Sequence, residues 1–581
     1  MATVVLAFPP LVEMNFGEIY PSTAVLAAYL EPRGFGAVQV DLNARFLDHI
    51  LSDEELTASS EGIYSRSRPS SLAAARWTRR SLKHGSLSRS DLIAAQGHAK
   101  HPLTNILRLL ASPYSVDPDE RVLDGLTDDR LLLASYSRFF KAHLQDLVPE
   151  GSEDTLLGLS VPMGPQLLPT LLLASIVRAA TEHPVCRIVL GGPSLSLLGE
   201  PELARLLEHH SAVDCIVRFD GERTLSALAE QFAAGEWAPH ELPGTSSSRD
   251  HVATHVAPEP GPKLNTLPTP IYTREMIASA PNAMLGVTQA RGCYWGKCDY
   301  CDFVEVYKGS PSYRGRRAEL VVEDIRQLVM QTGLRRYRVI TESIPPAFAN
   351  HFSQLLCESD LAIGWTSFAM VDRRFDADLL WRMAASGCKY LVIGLESMVT
   401  RVLQLVHKSA DREENFRFLT DARAAGIRMH VNLIPNLPTT TREEALQGLR
   451  DLEALADCID VVKIFDFEPT RSSRVGHSPS SFGLTRLERV TRVGQAQLAI
   501  NTLPAKDPAM TDSEREATFR DYRAFAARVN AGDRPSVDGT DHRRYIDVLD
   551  APEGLLLTDF VTMERHRFPP RLRGAIAATK R

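Results

Sequence analysis

The stretch Ala290-Arg-Gly-Cys-Tyr-Trp-Gly-Lys-Cys-Asp-Tyr-Cys-Asp-Phe303 decides how this chain is read. Cys293, Cys298 and Cys301 stand within nine residues in the spacing C-x4-C-x2-C. Thiolates this close in sequence form a ligand set, and three of them are one short of holding every iron of a [4Fe–4S] cube. An iron without a protein thiolate keeps a position for a small molecule. A structural zinc site asks instead for four closed ligands, usually with a second Cys or His pair at regular spacing. The other cysteines (Cys186, Cys215, Cys357, Cys388, Cys458) are scattered singly, and no histidine lies between residues 257 and 350. Lys297, Asp299 and Asp302 interleave the triplet, which argues against cysteines that merely fill a core. Iron–sulfur chemistry is the expectation, with Cys293, Cys298 and Cys301 as metal ligands and catalytic residues.

Around this loop the chain reads as strands alternating with helices. Expected strands are Met284–Thr288, Tyr337–Thr341, Ile363–Ala369, Tyr390–Gly394, Arg428–Ile434 and Val461–Phe465, separated by amphipathic helices such as Glu319–Gln331 and Ala377–Ala385. Six such units predict a partial (β/α)6 barrel over residues 271–468, with chemistry at the carboxyl ends of the strands. The cysteine loop leaves the first strand at that end. On the fifth strand, His430 and Asn432 alternate with apolar neighbours and share one face. That pair either lines the lumen and touches cofactor or substrate, or His430 is a core histidine satisfied by a backbone carbonyl.

Upstream, residues 1–236 read as a doubly wound parallel sheet. Its strands are Val4–Phe8, Ala37–Leu42, Leu156–Val161, Arg187–Leu190 and Cys215–Arg218. A helical insertion is expected at about 43–153, with helical patterns at Leu103–Leu110 and Leu131–Leu147. Residues 237–270, rich in Pro, Gly and Ser, read as a linker. Residues 469–581 read as a mainly helical C-terminal domain. The fold class is thus α/β throughout, a doubly wound sheet followed by a partial barrel and a helical tail.

Composition narrows the partners. The chain has 581 residues, 44% of them hydrophobic and 24% charged, as in ordinary globular proteins, and is long enough for roughly three or four domains. Net charge −7 and a pI near 6.2 give no reason to expect a nucleic-acid partner. No run of about 18 apolar residues predicts a membrane span. The N-terminus lacks the basic region of a signal peptide, and thiolate ligands require a reducing compartment, so the cytoplasm is expected.

Several stretches then resemble the radical S-adenosylmethionine (SAM) superfamily. Besides the cysteine loop they are Tyr313-Arg-Gly-Arg-Arg-Ala-Glu-Leu-Val-Val322, Ile393-Gly-Leu-Glu-Ser397 with Leu403 and Lys408 downstream, and Leu433-Ile-Pro-Asn-Leu-Pro-Thr-Thr440. This chain departs in having four residues, not three, between the first two cysteines, and Asn436 where glycine is usual; Gly296 is suited to absorb the extra length. The front domain is similar to the cobalamin-binding domain of B12-dependent members. The resemblance is carried by Phe8-Pro9-Pro10, Tyr20-Pro21-Ser22, Leu190-Gly191-Gly192-Pro193-Ser194 and Asp214-Cys-Ile-Val-Arg-Phe-Asp-Gly-Glu-Arg-Thr-Leu225. In the last, Phe219 and Asp220 replace a glycine and a glutamate.

That resemblance implies a [4Fe–4S] cluster, SAM and cobalamin as cofactors. It implies that Glu342 contacts the SAM amino group and that Glu396, with Ser397 beside it, reaches the ribose. For cobalamin it implies contacts from Pro9, Pro10, Ser160, Gly191, Gly192, Pro193, Gly221 and Glu222. The D-x-H-x-x-G signature that supplies a histidine to cobalt is absent. The implied activity is methyl transfer to an unactivated carbon of a natural-product or peptide intermediate. A 5′-deoxyadenosyl radical opens the substrate, and a flavodoxin or ferredoxin supplies electrons. A cyclase or rearrangement enzyme with the same cofactors, a radical SAM enzyme that has lost cobalamin, and a non-catalytic iron–sulfur electron carrier remain alternatives.

Overall fold

The computed structural model describes residues 3–10, 19–50, 52, 131–149, 154–180, 186–249, 252–279, 283–303, 305–307, 310–487 and 503–531, with three strands beyond. Most of the expected insertion, including Leu103–Leu110, lies outside the described residues.

The first sheet is built on β1 (Thr3–Phe8), an unbroken apolar run because both of its faces are covered. Val5 and Ala7 join one core and Val4 and Leu6 the other. It pairs in parallel with β2 (Ala37–Asp41) and β3 (Thr155–Ser160). β4 (Cys186–Gly191) and β5 (Cys215–Val217) complete the parallel part, giving the order β2-β1-β3-β4-β5. The order reverses between β1 and β3, which opens a crevice at the carboxyl ends there. Helices α1 (Ser22–Leu30) and α2 (Leu42–Ile50) flank β2. The helix α3 (Leu131–Ala142) returns from the insertion and stacks Tyr136 on Phe46 with ring centroids 4.6 Å apart.

Part of the stretch expected as a linker is sheet instead. β6 (Thr245–Arg249) and β7 (Val252–His255) add an antiparallel hairpin beside β5. Its composition hid it, since serine and threonine read as turn formers. Two of the buried hydroxyls find partners: Thr245 Oγ1 donates to the Pro239 carbonyl at 2.7 Å, and the Ser246 hydroxyl meets the His255 ring at 2.9 Å.

The second sheet has six parallel strands in the order β15-β14-β13-β12-β11-β8. These are β8 (Leu285–Thr288), β11 (Arg336–Ile340), β12 (Gly364–Ala369), β13 (Cys388–Glu396), β14 (Arg428–Leu433) and β15 (Val461–Ile464). Val339, Trp365, Leu391, Ile393, Met429 and Val431 point outward into one core with the surrounding helices, and that core continues into Ile19 and Ala24 of the first domain. The opposite face, carrying Tyr390 and Val392, lines the lumen. Between β8 and β11, the short strands β9 (Ala290–Gly292) and β10 (Tyr313–Gly315) pair antiparallel. The cysteine loop is the long connection of this ribbon.

The tail adds strands to the expected helices. A 20-residue helix, Asp512–Ala531, packs on the barrel, and three antiparallel strands follow (Ile546–Ala551, Gly554–Asp559, Glu564–Phe568). Asn530 substitutes for a missing neighbour strand: its amide accepts from Val462 N–H at 2.8 Å and donates to Val462 C=O at 3.0 Å on the barrel edge. Replacing Asn530 by Ala is expected to lower stability by about 1 kcal/mol through those two unpaired groups, measured as a shift of the urea midpoint.

Candidate active site between the two sheets

The cysteine loop is shaped by backbone conformations that only glycine takes easily. Gly292 has φ 79° and a Cβ there would lie 1.9 Å from the Ser312 carbonyl, while Gly296 sits at φ 60°. Cys293, Cys298 and Cys301 are all partly buried and face one another closely enough to sense each other's charge. Burial raises the Cys298 thiol and pushes Cys301 up to about 12, with the neighbouring thiolates adding to both. Metal coordination removes that cost, since bound cysteine is thiolate. Among the described residues no three Cys, His, Asp or Glu side chains converge on one ion position. A cube needs no such convergence, because each thiolate takes a different iron. The donor set therefore fits a cluster.

Asp299, between the second and third cysteines, and Asp302, just after the third, hold the loop in place. Asp299 is buried and accepts from the His407 ring at 2.5 Å and from Arg474 at 3.1 Å. Asp302 accepts from Thr470 at 2.5 Å and Ser472 at 2.7 Å. A segment just beyond the barrel thus straps the loop down. Sequence reading missed this, because nothing local links residues 299–302 to 470–474.

Glu396 ends β13 at a shift in register with β14, in the left-handed region at φ 65°. A non-glycine residue there is strained, and such strain gathers at functional sites. Its Oε1 accepts from Lys408 Nζ at 3.1 Å and Tyr300 at 3.2 Å, and Gly394 leaves the room: a Cβ there would sit 2.5 Å from that oxygen. Ser397 serves the turn instead, its hydroxyl accepting from Val399 N–H at 3.1 Å. Glu342, just past β11, accepts from Tyr307 at 2.8 Å. Its other oxygen is buried without a partner, and burial raises its pKa. A buried carboxylate oxygen left open beside a thiolate triplet is a receptor for a cationic donor, and the ammonium of SAM fits it. His430 stacks on Tyr390 inside the lumen at 4.5 Å, with Asn432 on the same face.

A cavity opens where the two sheets meet, with about 1140 Å³ of empty space including its solvent-filled mouth. Its enclosed part is about 220 Å³, below the range of about 300–1,000 Å³ usual for small-molecule sites. Its floor is the carboxyl ends of β1, β3, β4 and β5, and its far wall is Thr288, Ala290, Arg291, Tyr307 and Ile340 of the barrel. Ser160, Gly191, Gly192, Pro193, Gly221 and Glu222, expected as cobalamin contacts, line it. Gly192, at φ 129°, has its Cα so close to Val161 that a Cβ would lie 2.5 Å from the carbonyl. Pro9 and Pro10 are buried and do not line it; the Pro9 carbonyl is taken by Gln166 at 2.8 Å. Glu222 lines the wall with its carboxylate committed to Arg291. Glycines at strand ends and apolar walls, open to solvent at the mouth, fit one face of a large, flat cofactor such as cobalamin. Glu342 and Tyr307 stand where the cavity meets the barrel, beside Tyr20, whose phenol burial pushes up to about 12.

Comparison with known proteins agrees with this geometry. Residues 287–452 match the radical SAM superfamily. An uncharacterized methyltransferase, PH0819, of Pyrococcus horikoshii is 24% identical over 344 residues, covering 58% of this chain and 70% of that protein. The hopanoid C-3 methylase of Methylococcus capsulatus is 27% identical over 280 residues, 46% of this chain and 50% of that one. The solved radical SAM methyltransferase TsrM from Kitasatospora setae, with cobalamin and a [4Fe-4S] cluster bound, superposes with TM-score 0.58 at 15% identity, covering 94% of this chain and 92% of its own. TsrM has also been solved with a tryptophan substrate and a SAM analogue. Among the described residues no helix is long and apolar enough to cross a membrane. Residues 287–452 thus match the radical SAM superfamily, and the chain as a whole shares the fold of the cobalamin-binding radical SAM methyltransferase TsrM.

Proposed function

We propose that this protein is a cobalamin-dependent radical SAM C-methyltransferase, acting in the cytoplasm on an unactivated carbon of a natural-product or peptide intermediate and drawing electrons from a flavodoxin or ferredoxin. The observation that carries the reading is the cavity shared by the carboxyl ends of both parallel sheets, with the thiolate loop on its rim. When bound, the cluster with SAM supplies reductive cleavage, and cobalamin supplies a methyl carrier.

The chain's residues hold and orient. Cys293, Cys298 and Cys301 would hold a [4Fe–4S] cluster, one thiolate short of a full set, with a position left for SAM. Glu342 offers its open oxygen to the SAM ammonium while Tyr307 fixes the other one. Lys408 and Tyr300 hold Glu396 at the strand end, where it meets ribose hydroxyls. His430, Asn432 and Tyr390 form the lumen wall that a substrate would face. Gly191, Gly192 and Gly221 admit a corrin close to backbone. No described residue lining the cavity is histidine, cysteine or methionine. Enclosure between two domains excludes water, which protects reactive species and sharpens orientation.

The test is anaerobic reconstitution with iron, sulfide and hydroxocobalamin, then reduction with titanium citrate in the presence of methyl-labelled SAM. A four-iron absorption altered by SAM, co-eluting cobalamin and label on cobalt are expected. A zinc-only protein, or one from which hydroxocobalamin elutes free, would sink the reading.

A further inference from the structure

Arg291 and Arg314 lie directly opposite each other in the β9–β10 ribbon, at the two ends of the cysteine loop. Like charges facing across a strand pair are destabilising, so this stem needs neutralising from elsewhere. The first domain provides it. Arg291 bonds both Asp220 and Glu222, and Arg314 donates to Asp220 at 2.6 Å. Both carboxylate side chains are only 2% exposed. Ser310, inside the loop, donates to Asp220 at 3.0 Å, and Gly261 passes so close that a Cβ would lie 2.3 Å from that carboxylate. Two carboxylates and two guanidiniums make a neutral, buried quartet. Removing one partner strands an uncompensated charge, which costs far more than a surface pair would.

The same turn is a wall of the cavity: Phe219, Asp220, Gly221 and Glu222 all line it. Phe219 is held at φ 63°, its N–H donating to Ser196 Oγ at 2.7 Å. A bulky residue in that region is strained, and strain at such a turn persists where surroundings over-determine it. Asp220, one of the two residues that departed from the family pattern, bonds both arginines, and Glu222, which keeps the pattern, bonds Arg291.

The geometry points to the turn Phe219–Glu222 as an inter-domain clamp, in which Asp220 and Glu222 seat the stem of the cysteine loop and so set the distance between cluster and cavity. This rests on the proposed cofactors. The clamp residues are positioning residues: none of them needs to touch a reacting atom.

The test uses the full chain, reconstituted as above, with cobalt held as cob(II)alamin. The reading is how strongly the reduced cluster speeds cobalt spin relaxation, taken as the change in half-saturation power of the cobalt EPR signal. Variants are Asp220→Asn, Arg314→Met and Arg314→Lys. Arg314→Met leaves Asp220 its bond to Arg291, and a thermal melt on each variant shows which of them keeps its fold. At equal iron and cobalt content, Asp220→Asn and Arg314→Met are expected to lose at least threefold of the enhancement, and Arg314→Lys to recover it. Enhancement unchanged in Arg314→Met would overturn the clamp. If the parent chain itself retains no cobalamin, the functional reading fails separately. Amide exchange at residues 293–303 then decides: at least tenfold faster in Arg314→Met than in the parent is expected, and equal exchange overturns the proposal.

Discussion

Cys298→Ser is expected to abolish SAM cleavage, with the rate falling below about one thousandth of the parent's, a loss of more than about 4 kcal/mol of transition-state stabilisation. The hydroxyl does not deprotonate to a soft ligand, so only two irons keep protein thiolates and the cube is not retained. The measurement is iron content and four-iron absorption after anaerobic reconstitution, with 5′-deoxyadenosine formation alongside. Fold should survive: Cys298 belongs to none of the hydrophobic cores, and the loop stays anchored through Asp299 and Asp302. A variant that keeps full iron and cleaves SAM would show that the triplet is not the ligand set.

Glu342→Gln carries the second large effect and separates affinity from stability. A charge-assisted contact to the SAM ammonium is worth roughly 1.5–3 kcal/mol, so the KM for SAM should rise about 10- to 100-fold. Burial raises the Glu342 carboxyl above its ordinary 4.5, against the opposing hydrogen bond from Tyr307. In the parent, SAM binding should therefore weaken as pH falls through that raised value, earlier than for an exposed carboxylate, and this dependence should vanish in Gln. The sign for stability is opposite. A carboxyl whose folded pKa is raised favours folding most below its unfolded value, and the advantage is lost as pH rises through the folded one. At neutral pH the ligand-free Gln variant should then be at least as stable as the parent by thermal melt. Weaker SAM binding with equal or better stability marks a residue kept for its ligand. Unchanged KM would remove Glu342 from the SAM site.

The strands were legible in the chain to within a residue or two because each is buried on at least one face and apolar residues repeat along it. Thr3–Phe8, an unbroken apolar run, and Arg428–Leu433, with its alternation, show the two patterns. The hairpin at Thr245–His255 was not legible: serine and threonine read as turn formers, and the partners that Thr245 and Ser246 find are set by the fold. Partners set by the fold were equally illegible at Ser397 and Pro9: the Ser397 hydroxyl accepts from Val399 N–H, and the Pro9 carbonyl accepts from Gln166.

What the linear chain determined by itself is the thiolate triplet, since ligands within nine residues are brought together by the backbone joining them, whatever surrounds it. It also determined the alternation of strand and helix, which depends on side-chain periodicity alone. Tertiary structure decided what the triplet faces. The open oxygen of Glu342, the strap from Thr470 to Arg474 and the Asp220–Arg291–Glu222–Arg314 quartet join groups as far as about 170 residues apart. Such contacts depend on charge and desolvation at a meeting of distant surfaces, and no periodicity in sequence encodes which surfaces meet.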